Sequence, residues 1–145
     1  MLKLIPVLAA VLLASCASRY ERDFRAAVAS APDRPTTVEG PWVGQWKSEM
    51  NGHEGPLWCV VSQSEPGTYD FRYRAGWGKL QFGDYVHRVE AKPAADRSLD
   101  YQGKMDLPGG VGVHEVDGRL TPTTFDARFR SERGDRGTMV LRRPE

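Results

Sequence analysis

At 145 residues, with a tenth of them aromatic and about a quarter charged, the chain has the length and make-up of one globular domain rather than of a disordered or low-complexity polymer. The formal net charge is +1, and without Lys3 the basic and acidic side chains balance at 19 each. A nucleic-acid binder relies on clustered, uncompensated Lys and Arg, so this balance argues against such a partner.

Residues 1–15 read as a secretory leader. Lys3 supplies a basic start, residues 4–13 are an apolar run too short to span a bilayer, and small residues follow. The run closes as Leu13-Ala14-Ser15-Cys16, which resembles the lipobox of bacterial lipoproteins. The resemblance implies that Cys16 carries acyl chains of the palmitate type and becomes the first mature residue. It also implies that the chain's partner is the membrane, because several acyl chains anchor stably where one does not. Ala17 stands where an inner-membrane retention signal would place Asp, which points to the outer membrane of the cell envelope. Three segments result: a signal peptide over 1–15, a lipidated N-terminus with helix and linker over 16–41, and a β domain over 42–145. With Cys16 acylated, Cys59 has no disulfide partner; within the apolar Leu57-Trp58-Cys59-Val60-Val61 it reads as a buried, inert thiol.

Residues 19–30 (RYERDFRAAVAS) are the helical candidate of the mature chain, with Tyr20, Phe24 and Ala27/Val28 at helical spacing. So short a helix needs a surface to lie on. Glu21 and Asp23 dilute the positive charge a membrane surface favours, so packing on the mouth of the β domain is expected rather than on the bilayer. A proline-spaced connector follows over 31–41.

Then the chain alternates with a period of two. Trp42, Gly44, Trp46 and Ser48 share one face of a first strand, and Gly44 between the indoles allows a close approach. Second and third strands are expected over 57–63 and 69–75, the third with Tyr69, Phe71, Tyr73 and Ala75 facing in and Asp70, Arg72 and Arg74 facing out. A fourth over 80–91 turns Tyr85, His87 and Val89 to one face, with Gly83 at a bulge. Leu99, Tyr101, Gly103 and Met105 carry the fifth. The sixth spans 111–116 and is expected to reverse at Asp117-Gly118, the strongest two-residue hairpin signal in the chain. Phe125, Ala127 and Phe129 line the seventh, and 138–143 form the last. Residues 68–74 and 124–130 match in type almost throughout, each putting one Asp and two Arg outside. Those charges read either as solvated cross-strand ladders or as a patch for an acidic partner.

These elements predict an all-β fold: an antiparallel up-and-down meander barrel of about eight strands with a short N-terminal helix. Gly44-Gln45-Trp46 on the first strand, the meander and an Arg near the end of the last strand resemble the calycin group of lipocalins, fatty-acid-binding proteins and avidins. The chain is also similar to small envelope lipoproteins of unassigned function. The lipocalin resemblance implies that Trp46 closes one barrel end beneath Arg142 or Arg143, and Arg143 is the residue favoured here. Trp46, Phe71, Tyr73, Tyr85, Tyr101, Phe125 and Phe129, the aromatic residues expected on the inner face, form either a ligand pocket or the core.

No catalytic constellation stands out. His53, His87 and His114 lack metal-ligand spacing, no Gly-x-Ser-x-Gly elbow occurs, and Gly109-Gly110 lacks the Lys-Ser/Thr of a phosphate loop. A non-enzymatic protein without cofactor is expected. Two roles fit: a barrel holding a small hydrophobic or amphipathic ligand, or a filled barrel docking another envelope protein. In either role Cys16→Ser should move the protein from the washed membrane pellet to the soluble fraction; retention in the pellet would refute the anchor.

Overall fold

The computed structural model describes residues 18–107 and 110–145, with the backbone alone for Phe82. The leader and Cys16, and Pro108 and Gly109 of the expected Gly-rich turn, lie outside the described residues.

Helix α1 (Arg19–Ser30) occupies the expected span. Ser18 caps it: its Oγ accepts from the Glu21 N–H, and the Glu21 carboxylate accepts from the Ser18 N–H. This reciprocal box satisfies two donors that a helix N-terminus otherwise leaves open. The helix lies on a strand wall rather than over a mouth. Tyr20 donates its hydroxyl to the Arg72 carbonyl at 3.0 Å, and its ring lies 5.1 Å beneath the Arg72 guanidinium. Arg72 also reaches Asp23 at 2.7 Å.

Eight strands follow: β1 (Gly40–Ser48), β2 (Glu54–Glu65), β3 (Thr68–Trp77), β4 (Leu80–Glu90), β5 (Leu99–Leu107), β6 (Gly112–Leu120), β7 (Thr124–Ser131) and β8 (Arg136–Arg142). They make one sheet in the order β4-β3-β2-β1-β8-β7-β6-β5, every neighbouring pair antiparallel. The first and last strands are therefore partners, and β4 and β5 are the two edges. A closed barrel was expected, but the described residues form an open half-barrel. Side chains occupy the place where a β4–β5 ladder would run. A Cβ added at Gly103 on β5 would lie 2.5 Å from His87 Nε2 and 3.3 Å from Val89 Cγ1, both on β4. Rings and methyls thus fill that seam without backbone pairing.

The alternation seen within single strands is carried across the sheet by its register. Trp42 pairs with Cys59, Cys59 with Tyr73 and Tyr73 with Tyr85; on the other side Gly44 pairs with Leu141, Leu141 with Phe125, Phe125 with Leu120 and Leu120 with Leu99. One continuous inner face results. Trp42, Phe71, Phe125, Leu99 and Leu120 are all fully buried on it. Phe71 stacks on Tyr101 at 4.5 Å, while Trp42 and Phe71 meet Phe125 edge-on at 5.5 and 5.9 Å. Such geometries add to the burial of area itself.

Three local expectations change. β2 and β6 are longer than read: β2 continues through polar residues at its ends, and β6 runs on to the buried Leu120. No hairpin forms at Asp117-Gly118: β6 runs through both residues, and the chain turns after Leu120, where Thr121 Oγ1 accepts from the Thr123 and Thr124 N–H groups. Gly118 serves space rather than a turn, since a Cβ there would meet the Tyr101 ring at 2.6 Å. The Gly83 irregularity is present, with positive φ and a register shift opposite Tyr73/Ala75.

Gly44 marks the tightest approach predicted from sequence. A Cβ there would fall 1.9 Å from the Val140 carbonyl oxygen and 2.6 Å from Leu141 Cα, neither of which can swing aside. Gly44→Ala should therefore destabilise the fold by about 1–3 kcal/mol or more, read as a lower urea midpoint at unchanged slope.

Candidate functional site

Of the seven aromatic residues proposed as pocket or core, Phe71, Tyr73, Tyr101 and Phe125 are buried. Trp46, Tyr85 and Phe129 are half-buried and pack against that cluster. The interior polar groups meet each other: the Tyr73 and Tyr101 hydroxyls lie 3.3 Å apart. Burial pushes both phenols, and the Cys59 thiol beside them, well up from their ordinary pKa values, so all three are neutral at physiological pH. Cys59 is fully buried and so has none of the accessibility of a reactive thiol.

The end of the half-barrel where β1 begins is closed by Arg143, but over Trp42 and not Trp46. The guanidinium sits 3.8 Å above the Trp42 ring and donates to the carbonyls of Thr37, Glu39, Pro41 and Pro122. The Trp42 indole N–H donates to the Val38 carbonyl. Burial lowers the Arg143 pKa to about 10, which leaves it charged at neutral pH and fit for a cation–π contact. The period-two pattern explains the difference. Trp46 lies four residues further along β1, near the opposite end, where its indole N–H reaches the Gly76 carbonyl at 2.9 Å. Arg142 faces outward, one pleat away from the clasp.

His87 is buried in the seam beside Tyr101. It is 3% exposed, neither ring nitrogen has a hydrogen-bond partner among the described residues, and Tyr101 lies edge-on at 6.2 Å. No three His, Cys, Asp or Glu converge on a common point among the described residues.

The outer wall separates two look-alike strands. On β3, Asp70 takes a bidentate pair from Arg88, and Arg72 makes one to Asp84 while holding Asp23 of the helix. These guanidiniums lower the pKa of both Asp70 and Asp84. On β7, Asp126, Arg128 and Arg130 make no ion pair among the described residues, although Arg119, Asp117 and Glu115 stand directly opposite on β6. Asp126 and Arg128 border an outer groove of about 770 Å³ across β5–β8. Asp100, Gln102, Asp117, Arg119, Arg128 and Thr138 line it, together with the exposed Val140. Signs alternate along and across this surface, so it suits a partner of mixed charge better than a uniformly acidic one. The sequence match of 68–74 with 124–130 flagged both strands; their opposite use follows from what faces them, since β4 and α1 pair the charges of the first while those of the second make no ion pair among the described residues.

Burial lowers the His87 pKa, so between pH 6.5 and the folded-state value the unfolded chain binds a proton that the folded chain refuses. The proton-linked penalty is absent above about pH 6.5 and grows as pH falls from there to that lower value, by about 1.4 kcal/mol per pH unit at most. Unfolding midpoints measured from pH 7.5 to 4.5 should show this decline, and His87→Leu should flatten it. No family model, curated protein or solved structure matches this chain.

Proposed function

We propose that the protein is a lipid-anchored envelope lipoprotein, tethered through Cys16 on the outer membrane, whose β domain is a non-enzymatic docking module with a solid core. On this reading the sheet is a calycin-like up-and-down barrel whose β4–β5 seam is held by side chains. The observation that carries the choice is the interlocked Trp42–Phe125–Phe71–Tyr101 cluster across the interior, which occupies the space a hydrophobic ligand would need. A carrier keeps a largely preformed apolar cavity. Here the large cavity is the charged groove on the outside.

The partner that fits is a polar protein segment of alternating charge lying across β5–β8, with Arg128 and Asp117 as central contacts and Val140 beneath it. A photo-cross-linker at Thr138 should capture one envelope protein in intact cells, while the same group at Arg88, on the β4 wall, should not. Arg128→Glu should weaken that capture at least about ten-fold, the scale of one desolvated charge pair. Absence of a Thr138 adduct, or an organic extract of the purified protein holding one lipid per chain beyond the anchor, would overturn the docking role.

A further inference from the structure

Large apolar side chains are exposed at one end of the half-barrel. The β1–β2, β3–β4, β5–β6 and β7–β8 turns share that end, opposite the Arg143 clasp. Three of these tips carry Met50 (59% exposed), Trp77 (48%) with Leu80 (67%), and Val111 (44%). The Trp77-Gly78-Lys79-Leu80 tip is a two-residue hairpin with Gly78 at positive φ, so the indole and the leucine flank the turn as cross-strand partners.

The tips form one connected rim. The His53 ring of the β1–β2 turn lies against Trp77, centroids 4.9 Å apart and tilted by 32°. The Glu49 N–H donates to the Arg136 carbonyl, and Glu132 exchanges hydrogen bonds with Val113 across the next pair of tips. Of the acids at this end, Glu132 accepts from a backbone N–H and Glu49 lies 3.6 Å from Arg136, while Glu54 and Asp106 are exposed and make no ion pair among the described residues. Lys79, between Trp77 and Leu80, is exposed and makes no ion pair among the described residues. An indole, aliphatic side chains and a lysine without an ion pair on a connected rim match the chemistry of a bilayer interface.

The helix says which way the anchor points. Tyr20 and Asp23 are held at mid-wall by Arg72, whereas Val28 and Ala31 lie beside Pro41 and Arg143 at the clasp end. The N-terminus of α1 therefore points toward the rim. Cys16 is two residues before Ser18, a reach of about 7 Å, while the clasp lies a helix length of about 18 Å the other way. From Arg72 to Trp77 the strand covers about 17 Å, and less along the axis once strands tilt. The β3–β4 wall itself presents Asp70, Arg72, Asp84 and Arg88, which a bilayer would not cover without cost. We infer that the hairpin rim of Met50, Trp77, Leu80 and Val111 lies in the lipid interface beside the acyl anchor, so that the domain stands on the membrane with its outer groove facing sideways. This orientation rests on the anchor proposed above.

The test uses the acylated full chain in vesicles of phosphatidylethanolamine and phosphatidylglycerol, with and without brominated acyl chains, Trp77→Phe serving to isolate the Trp77 emission. Trp77 should be blue-shifted, quenched by the brominated lipid and protected from acrylamide. The double variant Met50→Asp/Leu80→Asp, with an unchanged circular dichroism spectrum, should lose that quenching. A Trp77 that acrylamide reaches and bromine does not would overturn the inference, as would acrylamide protection without bromine quenching, the mark of a rim covered by a second copy. The intact mass of Cys16 judges the anchor separately. If no acyl group is present the anchor reading falls, and bromine quenching of the vesicle-bound chain still decides the rim.

Discussion

The Arg143–Trp42 clasp is the contact on which the rest of the half-barrel depends. It joins the approach to the first strand with the end of the last, and those two strands are themselves ladder partners. Pairing β1 with β8 closes a loop of almost the whole domain, an entropic cost that only extensive burial can offset. Arg143 lowers the cost of keeping that junction in register by satisfying four backbone carbonyls, three of them (Thr37, Glu39 and Pro122) outside the strands. A lysine could not replace it, because one ammonium cannot lie flat on an indole while donating in four directions.

From that junction the two faces of the sheet diverge. The inner face is apolar and aromatic from β4 round to β5, so its rings choose register: a slip of one residue on any strand would turn its aromatics into water. The outer face tolerates charge everywhere, and position alone decides what the charges do. On β3 they hold the helix and the neighbouring strand; on β7 they stay free around a groove. A single strand pattern thus supplies a structural latch in one place and a candidate recognition surface in another.

The seam between β4 and β5 is the exception to this order. His87, Val89 and Tyr101 fill it without backbone pairing, and the ring nitrogens of His87 have nothing to bond. A desolvated, unpartnered imidazole costs stability that a leucine would not. Gly103 opposite it shows that the ring has been given room rather than merely tolerated.

The sequence by itself determined the strand-rich character of the chain, the span of α1, the inward residues of β1, β3, β4, β5 and β7, and the Gly83 irregularity. Each of these is a local consequence of period-two or period-3.6 burial, visible without knowing any neighbour. Only the tertiary structure decided which indole lies under Arg143, whether Asp117-Gly118 turns or runs straight, where the helix docks and which of two matching strands keeps its charges free. Those outcomes depend on what lies across a ladder. Gly118 looks like a turn residue until Tyr101 is placed opposite it, and Trp42 and Trp46 share a face whose two ends the chain alone does not distinguish. The open seam is likewise a matter of side chains meeting from strands joined by a loop, a contact that no periodicity along the chain records.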